Sequence, residues 1–258
     1  MRPECAQPRG MDGVETVLAV LTDVHGNYPA LRAVLDEIDG LGMVERIVCL
    51  GDMIAIGPDT NEVLEALFSR DDVSMVSGNH EDAVLALCLG RPPQSHGEEL
   101  EHHQWIADRM DKRFVPLLAR LPRSMTLSFH GRVCHFVHYH LDAGQQFLPV
   151  DWAPSGEKLD ELYQDHPAEL VAFGHHHPVH LFRTERRLYF NPGALGCCDR
   201  PVARYGLVHI TGQGMEVECR EVPYDNRAFL RSYHEQQVPA RAFILRVFHG
   251  GQGGEVGG

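Results

Sequence analysis

Thr16-Val-Leu-Ala-Val-Leu-Thr-Asp-Val-His-Gly-Asn27 carries an unbroken apolar run directly into two side chains able to bind metal, Asp23 and His25. A short apolar run of this kind, ending at polar turn residues, reads as a buried strand. The same order recurs twice. Arg46 to Leu50 ends at Gly51-Asp52, and Val73 to Val76 ends at Gly78-Asn79-His80. Between these runs, Leu31, Val34, Leu35 and Ile38 follow helical spacing, and Asn61 to Phe68 reads as a second helix. Strand, polar cluster and helix in repetition predict parallel βαβ units with chemistry at the carboxyl ends of the strands.

The later chain differs. From Gly97 to Leu121 a helical pattern places Leu100, Ile106, Met110, Phe114, Leu117 and Leu121 on one side, predicting a helical insertion between site motifs. Met125–Phe129 and Val133–Val137 predict a hairpin about His130-Gly131, followed by a helix at 157–164 and a strand at 170–173. That strand delivers Gly174-His-His-His177. Two further hairpins, 179–190 and 206–221, and a helix at 227–236 predict a mostly antiparallel second half. Residues 1–13 read as a disordered leader, 14–248 as one domain, and the Gly-rich 249–258 as an unstructured tail.

Composition narrows the function. The chain has 258 residues, enough for a full core, and a formal charge of -13 that disfavours a nucleic-acid polymer as ligand. An acidic balance does not exclude phosphate substrates, because bound cations can dominate a site's local charge. The seven cysteines show no metal-ligand or small-secreted-domain spacing; Cys49 and Cys134 read as buried hydrophobes, and Cys197-Cys198 as small packing residues. With no signal-like apolar stretch near the start and no run long enough to span a bilayer, the expectation is a cytoplasmic enzyme.

The candidate metal ligands are Asp23, His25, Asp52, Asn79, His138, His175 and His177. Asp23 and His25, two apart just past a strand, are expected to point the same way from extended backbone. A carboxylate at Asp52 has two oxygens and can bridge two ions. His80, beside Asn79, would point elsewhere and stay free for proton transfer, and His176 would face away from its neighbours. Mixed nitrogen and oxygen donors suit Mn²⁺, with Fe or Zn²⁺ as alternatives. His102 and His103 read as solvated and Trp105 as a core residue, although the insertion lies where it could form a lid.

Asp23-Val-His25, Gly51-Asp52, Gly78-Asn-His80, His138 and Gly174-His-His-His177, followed by Asn191-Pro-Gly-Ala-Leu-Gly196, together resemble the calcineurin-like metallophosphoesterase superfamily. Gly51 to Glu65 is similar to its bacterial phosphodiesterase branch. The resemblance covers about residues 17–210 and implies an α/β fold, a four-layer α-β-β-α sandwich. It further implies that Asp23, His25 and His177 hold one divalent ion and Asn79, His138 and His175 another. Asp52 would bridge them and His80 would donate a proton, with a metal-bridging hydroxide attacking a small phosphodiester or phosphomonoester. Two departures bear on substrate. Met53-Ile-Ala-Ile-Gly57 stands where the superfamily's Ser/Thr protein phosphatases continue with Asp-Arg-Gly, and bulky Tyr139-His140 follow His138 where relatives carry small residues. Asn27, Tyr139 and His140 are therefore candidate substrate contacts. Ser/Thr protein phosphatase and dinucleoside polyphosphate hydrolase are the alternatives. A nuclease is disfavoured by the acidic balance, and a non-catalytic scaffold by the complete set of site residues.

Overall fold

The computed structural model describes residues 15–252. The leader expected at 1–13 lies outside the described residues. The chain runs β1 (Thr16–Leu21), α1 (Tyr28–Leu41), β2 (Val44–Cys49), α2 (Thr60–Phe68), β3 (Val73–Met75), α3 (Asn79–Cys88), α4 (Gly97–Arg109) and α5 (Val115–Leu118). It continues through β4 (Ser124–Phe129), β5 (Arg132–Val137), α6 (Gly156–Leu162), β6 (Leu170–Ala172), β7 (His180–Arg183) and β8 (Leu188–Asn191). Last come β9 (Val202–Ile210), β10 (Met215–Pro223), α7 (Arg227–Glu235) and α8 (Arg241–Val247).

Two five-stranded sheets result, in the orders β10-β9-β1-β2-β3 and β4-β5-β6-β8-β7. Strand β1 is parallel to β2, and β2 to β3, as the strand-cluster-helix repeat predicts. The second sheet corrects an expectation: β5, β6 and β8 form a parallel centre, with antiparallel partners only at its edges. Helix α6 makes the crossover from β5 to β6 that a parallel pair requires.

Alternation along the strands builds the layers. Val17, Ala19 and Leu21 pack under α1, α2 and α7, while Leu18 and Val20 face the second sheet. There they meet Phe136, Leu170, Ala172 and Phe190 across the gap between sheets. The far side of the second sheet presents Val171, Phe173 and Tyr189 to Leu159 and Tyr163 of the α6 segment. The architecture is a four-layer α-β-β-α sandwich. Each of these fully buried aliphatic side chains contributes about 1.5–3 kcal/mol of transfer free energy.

Helix α1 starts where the Asn27 side chain accepts a hydrogen bond from the Ala30 N–H, and it stops at Gly42, whose φ of 64° suits glycine. The expected single insertion helix over 97–121 is broken. Met110 takes an extended conformation, Asp111 caps a short turn, and Pro116 sits in the first turn of α5, where its missing N–H is harmless. Helices α3 and α8 were not anticipated by periodicity. The tail assignment also changes at its start. His249 is buried against the Tyr233 hydroxyl at 2.9 Å, and Gln252 donates to the Cys198 carbonyl. Among the described residues no helix is long and apolar enough to cross a membrane.

Candidate metal centre

Four loops at the carboxyl ends of β1, β2, β5 and β6 meet the N-terminus of α3 at one point. The backbone there is unusual. Asp23, His25, Asp52, His175 and His177 all have positive φ, between 49° and 66°. Such conformations are sparsely populated for residues with a Cβ and persist where surrounding structure enforces them. The extended geometry expected for Asp23-Val-His25 is therefore replaced by a tight left-handed turn. Hydrogen bonds from the Asp23, His25 and Gly26 amides to the Gly51, Asp52 and Met53 carbonyls clamp this turn to the loop after β2.

Two groups of donor atoms converge. In the first, His25 Nε2 and His177 Nε2 lie 3.0 Å apart, and Asp23 Oδ1 is 3.6 and 3.7 Å from them. In the second, His138 Nε2 lies 3.0 Å from Asn79 Oδ1, 3.2 Å from His175 Nδ1 and 3.2 Å from Asp52 Oδ2. Asp52 belongs to both neighbourhoods, since its carboxylate also groups with His25 and His80.

The bonding of these atoms says what they need. Asp23 Oδ2 accepts from the Thr22 hydroxyl and the His175 N–H, at 2.8 and 2.9 Å, whereas buried Asp23 Oδ1 has no hydrogen-bond partner. His138 Nδ1 donates to the Leu50 carbonyl at 2.9 Å, which turns Nε2 toward Asn79 Oδ1, His175 Nδ1 and Asp52 Oδ2. So many acceptor atoms gathered in one buried space are stabilised by positive charge, whether a proton or a metal ion. The pull on positive charge is strong. Burial alone would depress His138, yet the fields of Asp52, Asp23 and Glu81, with the Asp52 hydrogen bond, raise it to about 9. Burial likewise works to raise Asp23 and Asp52, and the surrounding histidines hold both carboxyls well below the usual range. Groups of this composition and geometry can hold divalent metal ions.

Glu81 organises the floor of the site, a role that a carboxylate two residues past Asn79 did not disclose in sequence. Its oxygens accept hydrogen bonds from the N–H groups of Asp52, Met53, Ile54 and Gly78, at 2.8 to 3.3 Å. One buried side chain thus ties the Asp52 loop to the start of α3. Gly78 permits that approach, because a Cβ there would collide with the Asp52 carboxylate.

His80 stands at the rim, its side chain 15% exposed, with Nε2 3.9 Å from Asp52 Oδ2. Its Nδ1 lies 2.7 Å from Nε2 of His103 on α4. His102 and His103 are thus buried rather than solvated, and α4 is part of the site's wall. His176 does turn away, pairing with His180 at 2.9 Å. Asn27, Tyr139 and His140 are engaged elsewhere. The Asn27 amide donates to Gly196 O and Tyr224 Oη while capping α1. Tyr139 Oη accepts from the Asp151 N–H, and His140 Nδ1 pairs with the Tyr163 hydroxyl in the apolar cluster beneath α6. Cys197 is buried near His25 and His177, and Trp105 packs in the core as expected.

Comparison with known proteins accords with this geometry. Residues 17–213 match the calcineurin-like phosphoesterase superfamily domain. An uncharacterized protein of Methanocaldococcus jannaschii is 40% identical over 252 residues, covering 88% of this chain and 95% of that protein. A symmetrical bis(5'-nucleosyl)-tetraphosphatase of Shewanella frigidimarina is 24% identical over 80% of this chain and 73% of its own length. The crystal structure of a metallophosphoesterase from Sphaerobacter thermophilus superposes with a TM-score of 0.70 at 20% identity, covering 91% of this chain and 98% of that one. The chain belongs to the calcineurin-like phosphoesterase superfamily and is a hydrolase acting on phosphate esters.

Proposed function

We propose that this chain hydrolyses a small phosphodiester or phosphomonoester at a pair of divalent ions, Mn²⁺ foremost. Asp23, His25 and His177 would hold one ion, Asn79, His138 and His175 the other, and Asp52 would be shared. The observation that carries this reading is the pair of converging donor sets around the orphaned Asp23 Oδ1 and the doubly placed Asp52. When bound, such a pair supplies Lewis acidity and brings the pKa of water toward 7.

The chain's own groups do the rest. Asp23 and Asp52, rigidly clamped by Thr22, the His175 amide and Glu81, keep the donor set in place without reorganisation. His80 is placed to protonate the departing oxygen from the Nε2 that faces the centre, although burial, partly offset by Asp52, holds its ring well below the usual histidine range. His103 fixes the ring from behind through Nδ1, which sets which nitrogen is turned inward. A small substrate is favoured over a phosphoprotein because Met53 to Gly57 supply no arginine beside Asp52. Resemblance to symmetrical bis(5'-nucleosyl)-tetraphosphatases keeps a dinucleoside polyphosphate as the second reading.

Elemental analysis of protein saturated with Mn²⁺ is expected to find two ions per chain. Hydrolysis of an aryl phosphodiester should disappear on chelation and return on metal addition. Asp52→Asn is expected to weaken both sites together. A single ion at saturation would overturn the dinuclear arrangement.

A further inference from the structure

Beside His80 the structure opens a second space that the metal chemistry does not use. A cavity of about 520 Å³ lies between α4 and α8, within the size range of small-molecule sites. His80 and His103 form its inner wall, Phe243, Ile244 and Phe248 its apolar side, and Glu98 and Glu99 its rim. Phe248 also contacts the ring of His177, with centroids 5.5 Å apart. The cavity therefore joins the metal centre through two of its own walls.

Its chemistry is selective. None of its lining residues is lysine or arginine. Burial pushes His102 and His103 down to about 4, so neither supplies a positive charge at neutral pH. The Glu99 carboxylate groups with His80 and His103, close to where a leaving oxygen would stand. Buried Nδ1 of His103 has no hydrogen-bond partner. The cavity that adjoins Asn79 is different: about 210 Å³, with Arg123 on its wall. Both sides carry carboxylates, but on the Asn79 side Asp82 is paired with Arg123, whereas Glu98 and Glu99 on the His80 side have no lysine or arginine beside them in the cavity.

We infer that the α4–α8 cavity receives the leaving group of the substrate, and that this group is an uncharged, flat alcohol bearing hydrogen-bond donors. The inference rests on the phosphoesterase reading, in which His80 protonates the departing oxygen and the departing group must lie on its side. The P–O bond to the alcohol breaks, its electron pair stays on that oxygen, and the proton comes from His80 Nε2, while water supplies the new oxygen on phosphorus and releases a proton to solvent, from which His80 is reprotonated. Phe243 and Phe248 present aromatic surface to a planar body. Glu98 and Glu99 accept from hydroxyl or amino groups and repel a leaving group that carries further phosphates. The same feature weighs against a nucleoside diphosphate as leaving group.

Calorimetry with adenosine and ADP as probes tests this, alongside turnover of bis(p-nitrophenyl) phosphate by the Mn²⁺-loaded protein. Adenosine is expected to bind the metal-free protein more tightly than ADP does, by about tenfold or more. Phe243→Ala should weaken adenosine about tenfold, and Glu98→Lys with Glu99→Lys should reverse the preference toward ADP. Phe243→Tyr should retain adenosine binding, which separates loss of the aromatic face from loss of fold. Absent adenosine binding, or binding unchanged in Phe243→Ala, would overturn the inference while turnover persists. Absent turnover would overturn the phosphoesterase reading, and the leaving-group role with it, even where adenosine binds.

Discussion

At the scale of single residues, His80 is the group whose replacement separates binding from chemistry. It lies 3.9 Å from Asp52 and is not one of the seven proposed ligands, so metal content should survive its loss. His80→Ala is expected to lower kcat by about 10²–10⁴ for esters with alkoxide leaving groups. The loss should be much smaller with p-nitrophenolate, which departs without a proton. Equal losses for both leaving groups, measured with metal content constant, would exclude proton donation. The contact with His103 adds that the proposed donor is backed by a buried histidine ring. That a histidine 23 positions downstream faces His80 follows from the docking of α4.

Among the elements, α4 carries the largest revision. A helical insertion between two site motifs invites the idea of a lid, but its inner face is built into the main core. Trp105, Ile106, Ala107 and Met110 are buried in the cluster that also contains Val34, Leu64 and Val84. A mobile lid would have to expose this surface on opening, at about 1.5–3 kcal/mol for each large apolar side chain. Ile106→Ala is therefore expected to destabilise the fold by about 2–5 kcal/mol, a fall in Tm of roughly 5–15 °C. Its effect on KM for a small ester should be slight in the folded protein. A raised KM with an unchanged melting temperature would restore the lid. Helix α8 shows the converse: exposed Phe243 and Val247 gave no strong periodic signal, yet the helix supplies one wall of the cavity beside His80.

The whole molecule carries an unusual load of buried neutral histidines, and this sets its response to acid. His249 is pushed down to about 4, chiefly by burial, and His140 to about 3 for the same reason. In the unfolded chain both titrate near 6.5. Each native-state pKa is depressed, so each contributes stability that is complete above about 6.5 and lost as pH falls toward the folded value. At pH 5 the loss is about 2 kcal/mol for each such residue. Urea unfolding of the metal-free protein at pH 7.5 and pH 5 should show a steep decline, reduced by about that amount in His249→Gln. The same decline in His249→Gln as in the parent would show that His249 is protonated in the native state. Because His249 bonds Tyr233 and lies beside Phe229, this measurement also reports that the chain beyond α8 is packed.

The sequence by itself determined the parallel order of β1, β2 and β3 and named the seven candidate donors that the fold brings together. Strand identity followed from continuous apolar runs, and the candidate donors from residue type at strand ends; both are local properties. It determined less of the second sheet, because β6 and β8 are short and a three- or four-residue strand carries no sense of direction. Left-handed backbone at Asp23, His25, Asp52, His175 and His177 was illegible, since these residue types carry no preference strong enough to announce it. Only the tertiary structure decided that Glu81 bolts two loops together, that Asn27, Tyr139 and His140 are engaged in packing, and that α4 and α8 enclose a space beside His80. Each depends on contacts between segments far apart in the chain, and side-chain direction there is settled by packing against partners that periodicity does not name.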